Sequence, residues 1–196
     1  MAKKIYLLRH GLTESNKKKI YAGWSDECLC KEGVSALLEI ERKIKEFNIE
    51  RIFSSPIRRA IQTAEVINSF LNKKIEIEKN LKEMKMGPWE GLSEDEVAKS
   101  FPSEWKIWNL RPSELKIDGR ETLEEVQIRA LNGIRRIAED LDRSRILAIT
   151  HVSIIRVLMI YYNNWYLDDY RKIDVPNATC YLLDNKSQKK KVLRVL

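Results

Sequence analysis

Ile5-Tyr6-Leu7-Leu8-Arg9-His10-Gly11-Leu12-Thr13-Glu14-Ser15-Asn16 begins as a short apolar, β-prone run and breaks at a histidine followed by glycine. It reads as a strand over Lys4 to Leu8 with His10 on the exit. A second run, Ile146-Leu147-Ala148-Ile149-Thr150, ends the same way on His151-Val152-Ser153. The chain has only two histidines, and both fall where a strand gives way to a loop. In an α/β protein those loops hold the chemistry.

Working outward, further strands are expected at Arg51 to Ser54, Ile75 to Glu78, Arg145 to Thr150 and Thr179 to Leu183, the last pairing with Lys191 to Val195 or leaving Ser187 to Leu196 as a basic tail. Helices alternate with them. Glu32 to Phe47 carries Val34, Leu37, Leu38, Ile40, Ile44 and Phe47 at near-helical spacing. Pro56 to Phe70 starts with Ser55 as N-cap and Pro56 at the first position. Glu121 to Leu141 repeats Leu123, Val126, Ala130, Ile134, Ile137 and Leu141. Such alternation predicts an α/β fold, its mostly parallel sheet covered on both faces. Residues 93–120, with Trp105, Trp108 and Pro112, interrupt the pattern and predict a small helical insert over the strand exits.

Length and composition narrow the classes. The 196 residues suit a single domain spanning 1–196, since no Gly/Pro/Ser-rich linker divides them and no repeat is visible. No run approaches the roughly 20 apolar residues of a membrane span, so a cytoplasmic protein with no membrane partner is expected. Cys28, Cys30 and Cys180 have no metal-ligand spacing and read as free thiols. The 36 Lys and Arg against 29 Asp and Glu give +7, which suits an anionic ligand or an ion-pair-rich surface. There is no Walker loop, no dinucleotide GxGxxG after the first strand and no GxSxG elbow.

Arg9-His10-Gly11 with Thr13 and Asn16 resembles the RHG signature of the histidine phosphatase superfamily, the phosphoglycerate-mutase-like proteins. Ser54-Ser55-Pro56-Ile57-Arg58-Arg59-Ala60 resembles the second arginine motif of that family, and Glu83-Met84-Lys85-Met86-Gly87-Pro88-Trp89-Glu90-Gly91 its acid motif. With His151 as the fourth piece, the resemblance runs in the family's order from about Ile5 to Cys180. It implies a three-layer α/β/α sandwich.

The resemblance also implies roles that suit phosphoryl transfer. His10 is the expected nucleophile, its other ring nitrogen donating to a backbone carbonyl. Arg9 and Arg59 are the expected phosphoryl forks, with Arg58 a surface charge. His151 is expected as a further donor to phosphate; its bland alternative is a core histidine bonded to a carbonyl. Many relatives have glycine after this histidine where this chain has Val152, which narrows the pocket there. Glu83 is the expected general acid, desolvated by Met84, Met86 and Trp89, with Glu90 a competitor of structural place. Gly11, Thr13, Asn16 and Val152 are expected phosphate contacts, while Thr13 and Asn16 also suit ordinary capping. Tyr21-Ala22-Gly23-Trp24 resembles a substrate-contacting loop, although Trp24 also suits the core.

These residues predict a phosphomonoesterase that acts on a small phosphorylated metabolite through phosphohistidine, with no metal and no cofactor. The resemblance leaves a phosphoglycerate mutase open. Mutases of this family are usually longer and carry adjacent arginines in the insert, where this chain offers only Lys106, Arg111, Lys116 and Arg120. A non-catalytic nucleic-acid-binding module would account for the charge but not for nucleophile, clamps and acid together, so no nucleic-acid partner is expected. A homodimer stays open.

Overall fold

The first strand, β1 (Lys4–Arg9), lies at the middle of the sheet, and the remaining strands are β2 (Arg51–Ser54), β3 (Ile75–Ile77), β4 (Arg145–Thr150), β5 (Cys180–Asp184) and β6 (Lys191–Arg194). The computed structural model describes residues 4–139, 145–184 and 191–196. The strand order is β3-β2-β4-β1-β5-β6. β1, β2, β3 and β4 run parallel, whereas β5 is antiparallel to β1 and β6 to β5. Eight helices accompany them among the described residues: α1 (Glu14–Lys17), α2 (Lys31–Glu39), α3 (Glu41–Glu46), α4 (Arg58–Leu71), α5 (Glu94–Ser100), α6 (Pro102–Leu110), α7 (Leu123–Glu139) and α8 (Val152–Asn163).

The alternation of side chains along the strands builds two cores. Ile5, Leu7, Ile146 and Ala148 face one side, packed with Ile134 of α7 and Ile155 and Leu158 of α8. Tyr6, Leu8, Leu147 and Ile149 face the other, packed with Leu37, Ile44, Ala64 and Ile67 of α2, α3 and α4. A buried aliphatic side chain contributes about 1.5 to 3 kcal/mol. A one-residue slip of β1 would therefore exchange two packed faces at once. The expected α/β sandwich with a mostly parallel sheet is the observed one.

Connectivity decides where the site falls. From β1 the chain crosses to β2 and on to β3 over the second core, then returns to β4 over the first through α7. It leaves β4 through α8 and arrives on the opposite side of β1. The direction of winding thus reverses between β1 and β4, the place where open α/β sheets form a crevice at the strand exits.

Several boundaries differ from the sequence reading for physical reasons. The helix expected over Glu32 to Phe47 breaks at Ile40 (φ −89°, ψ 0°), with no Gly or Pro to mark it. α4 begins at Arg58 with Ile57 as N-cap, not at Pro56 with Ser55 as N-cap. The Ser55 hydroxyl instead accepts from the Ile57 N–H at 3.3 Å and pairs with His151. α7 starts after Thr122, whose hydroxyl accepts from the Glu125 N–H while Glu125 accepts from the Thr122 N–H. β3 stops at Ile77 because the Glu78 carboxylate turns to accept from the Asn80 N–H. β5 starts one residue after Thr179, and the end of the chain forms β6 rather than a free tail over Lys191–Arg194. Leu141, Lys189 and Lys190 lie outside the described residues.

α5, α6 and a short 3₁₀ turn at Pro112–Glu114 fill the interrupted stretch. Trp89 anchors them, its ring centroid 6.0 to 6.4 Å from those of Phe101, Trp105 and Trp108. No helix of the described residues is long and apolar enough to cross a membrane.

Candidate active site

Backbone hydrogen bonds to β4 carry the sheet one residue past β1 and β2. The His10 N–H donates to Thr150 O at 3.0 Å, and Ser55 N–H donates to Ile149 O at 3.0 Å. The exits of β1, β2 and β4 are therefore fixed against one another. They border a cavity of about 360 Å³ whose floor includes Arg9, His10, Arg59 and Glu83. The Tyr21 to Gly23 loop, Trp108 of α6 and the first turn of α8 supply its walls.

His10 is 2 % exposed, and its Nδ1 lies 2.7 Å from Gly11 O. A carbonyl only accepts, so Nδ1 carries the proton and Nε2 presents its lone pair. Arg59 Nε donates to that Nε2 at 3.2 Å. Burial, then the charges of Arg59 and Arg9, hold the imidazole well below its ordinary pKa of 6.5. His10 is thus a neutral imidazole with a fixed tautomer.

Arg59 is placed by its backbone neighbours. Nη2 donates to Gly23 O at 2.8 Å and Nη1 to Ser25 O at 3.2 Å. Gly23 sits at φ +47°, and a Cβ there would come within 2.4 Å of the Glu90 carboxylate, so glycine is required. Glu90 in turn accepts from the N–H groups of Met86 and Trp24. Its work is to brace the loop. Arg58 points away toward Asp26, 3.7 Å distant on the surface. Arg9 donates through Nη1 to Val175 O, its buried Nε has no partner, and burial brings its pKa down to about 10. Both arginines stay cationic at neutral pH.

His151 is fully buried, its ring centroid 5.1 Å from that of His10. Its Nε2 lies 2.7 Å from Ser55 Oγ. That hydroxyl already accepts from Ile57 N–H, so its own proton is free to point at Nε2. With the hydroxyl donating to Nε2, Nδ1 carries the hydrogen, and among the described residues this buried nitrogen has no partner. Burial, with the charges of Arg59, His10 and Arg9, keeps this histidine well below its ordinary pKa. Among the described residues no backbone carbonyl holds it, unlike the core histidine that the sequence left open.

Glu83 is 6 % exposed and lines the cavity. One carboxylate oxygen accepts from Met84 N–H at 2.8 Å, while its backbone carbonyl accepts from Trp24 Nε1 at 2.7 Å and Arg129 Nη2 at 2.9 Å. Trp24 is therefore no core residue; it is 40 % exposed, with Lys82 Nζ over its ring.

The remaining expected contacts divide. Asn16, Ala22, Gly23 and Val152 line the cavity. Gly11 and Thr13 do not. Gly11 packs against α2 and donates its N–H to Thr63 Oγ1, and Thr13 caps α1 while its hydroxyl donates to Glu27 at 2.9 Å. Sequence reasoning missed Asn177, whose amide donates to His10 O, Gly11 O and Asn16 Oδ1 at 2.8 to 3.3 Å. It also missed Ser153, Arg156, Tyr170 and Arg171 on the walls. The only local signal for Asn177 is the Pro176-Asn177 pair before β5, which marks a turn.

A neutral histidine, a buried and a half-buried arginine and a carboxylate at the reversal point of a doubly wound sheet define an α/β protein with a cationic cleft. The chain belongs to the histidine phosphatase superfamily (branch 1), whose sequence profile matches residues 5–196. It is 30 % identical over 155 residues to the uncharacterized phosphatase PhoE of Bacillus subtilis, covering 79 % of this chain and 75 % of that one. It is 29 % identical over 157 residues to phosphoglycerate mutase-like protein 4 of Arabidopsis thaliana, covering 79 % of this chain and 68 % of that one. Among solved structures, Bacillus stearothermophilus YhfR superposes with a TM-score of 0.92 at 24 % identity, over 99 % of this chain and 96 % of that one.

Proposed function

We propose that this chain is a metal-independent phosphomonoesterase that turns over small phosphorylated metabolites through a phosphohistidine on His10. The observation that carries this reading is the His10 imidazole: neutral, tautomerically fixed by Gly11 O, and presenting Nε2 against the Arg59 guanidinium in a cavity that Arg9 also lines. Nε2 attacks phosphorus as the P–O ester bond breaks, and the leaving oxygen takes a proton from Glu83. Water then attacks the phosphorus of the P–N bond, gives its proton to the Glu83 carboxylate, and His10 is restored with release of inorganic phosphate.

Arg9, Arg59 and the His151 Nδ1–H are the donors for the equatorial oxygens, and each has N–H capacity not used by the protein. Burial removes competing water, so these donors act in a medium where charge interactions are stronger. The open N–H groups at the start of α8, including that of Val152, add to the same field. The phosphate dianion favours a protonated His151, but a neutral Nδ1–H already suffices to donate.

Hydrolysis is preferred over mutase chemistry on one observation. None of Lys106, Arg111, Lys116 and Arg120 lines the cavity, and Arg120 is buried with its guanidinium 4.4 Å from the Trp108 ring centre. The insert thus lends no arginine to hold a product for return transfer. The test is phosphate release from a panel of monoesters in EDTA, wild type against His10→Ala. Turnover that persists in EDTA and disappears in the variant is expected; turnover kept by His10→Ala, or abolished by EDTA, overturns the mechanism.

A further inference from the structure

The cavity holds more positive charge than a single phosphoryl group needs. Arg9, Arg59, Lys19, Arg156 and Arg171 line it, against Glu83 and Glu94. Arg171 is answered locally, with Nη2 3.5 Å from Glu94 and Nη1 3.4 Å from Tyr21 Oη. Arg156 is not: among the described residues it makes no ion pair, and its one hydrogen bond runs from Nε to Ile173 O at 2.8 Å.

That single bond leaves the outer fork unused while fixing its direction. The guanidinium carbon lies 5.0 Å from the Tyr170 ring centre, and Tyr170 is held from below by its hydroxyl, 2.7 Å from Ser153 Oγ. Anchored at Nε and stacked on a buried ring, Arg156 presents both Nη groups without the rotamer entropy an arginine usually loses. It stands one turn of α8 beyond Val152, about 6 Å along the helix axis from the end at which the phosphoryl group would sit. A group bound there shares one cavity of about 360 Å³ with the phosphoryl group.

We propose that Arg156 is a specificity-determining residue that receives a second anionic group of the substrate, a carboxylate or second phosphate, and so selects small phosphomonoesters bearing one near the ester. This rests on the phosphomonoesterase reading above. A planar fork with two parallel N–H donors fits either anion, and the carboxylate fits it bidentately. The alternative is that Arg156 only ties α8 to the loop at Ile173, which the Nε bond alone accomplishes.

The two are separated by kcat/KM for 3-phosphoglycerate and glycerol 3-phosphate, which differ in a carboxylate against a hydroxymethyl group, with propanediol bisphosphate as the second-phosphate arm. Wild type should favour an anion-bearing ester, and Arg156→Gln should reduce that preference by about 10- to 100-fold, the range for a hydrogen bond to a charged group. Because both esters are measured on one preparation, any loss of folded enzyme cancels in the ratio. Arg156→Lys, which keeps the charge without the fork, should fall between them. A ratio unchanged in Arg156→Gln, or a wild type that prefers glycerol 3-phosphate, overturns the proposal while leaving the phosphatase reading intact. If wild type hydrolyses none of the esters, the phosphatase reading is what fails. Calorimetric binding of the same esters to wild type and Arg156→Gln then decides the subsite on the same ratio.

Discussion

Lowering the pH from 7.0 to 5.5 should destabilise this protein, by up to about 2.5 kcal/mol, through two side chains, His10 and His151. Both are buried and held neutral, by desolvation first and by the Arg59 and Arg9 charges next. In the unfolded chain each takes up a proton near pH 6.5, whereas burial holds both well below that value in the folded chain. The unfolded state therefore binds more protons, and stability falls as pH falls. Each histidine contributes up to about 1.2 kcal/mol between those limits, with a slope of at most about 1.4 kcal/mol per pH unit. Against a domain stability of about 5 to 15 kcal/mol the loss is large. Urea unfolding in phosphate-free buffers from pH 7.5 to 5.5 measures it. His151→Gln should halve the slope whatever it does to the midpoint at pH 7.5. A stability that is flat or rises on acidification, or a slope that His151→Gln leaves whole, would refute the neutral-histidine account.

Glu83→Gln should lower kcat by about 10² to 10⁴, the range for a lost general acid–base. With a nitrophenyl ester, whose leaving group needs no proton, the variant should show a burst of nitrophenolate near one per enzyme, because hydrolysis of the intermediate still lacks its base. A uniform loss with no burst would argue against the assignment. Gly33→Ala should be costly, since the new Cβ would lie 2.2 Å from Leu12 O and 2.7 Å from Leu12 N, both backbone atoms of the His10 loop. Overpacking of this kind costs about 1 to 3 kcal/mol, which corresponds to about 2 to 12 °C in Tm at this chain length. An unchanged melting curve would mean that α2 does not press on that loop.

The sheet was legible because its central strands are short apolar runs that break sharply, and the exits bring the motif residues together: Arg9, His10, Arg59 and Glu83 line the cavity, and His151 stands directly against His10. Less legible were features set by long-range packing. The apolar spacing from Val34 to Phe47 continues through the break at Ile40, so periodicity alone draws one helix. Ser55 has the composition of an N-cap, but its hydroxyl answers a histidine 96 positions away. Asn177 reaches the His10 loop only because β5 enters antiparallel beside β1, and Arg156 and Tyr170 meet only after α8 has turned the chain back. Thr13 matches a family position for a phosphate contact and also suits a cap; its hydroxyl caps α1 through Asn16 N–H and donates to Glu27.

The covalent intermediate is the most direct test of the central claim. Enzyme mixed with a rapidly cleaved phosphomonoester, quenched in alkali where phosphohistidine survives, and mapped by mass spectrometry should carry one phosphoryl group on the peptide containing His10, at Nε2. Turnover with no such adduct under single-turnover conditions, or an adduct on His151 or on a hydroxyl, would contradict the account.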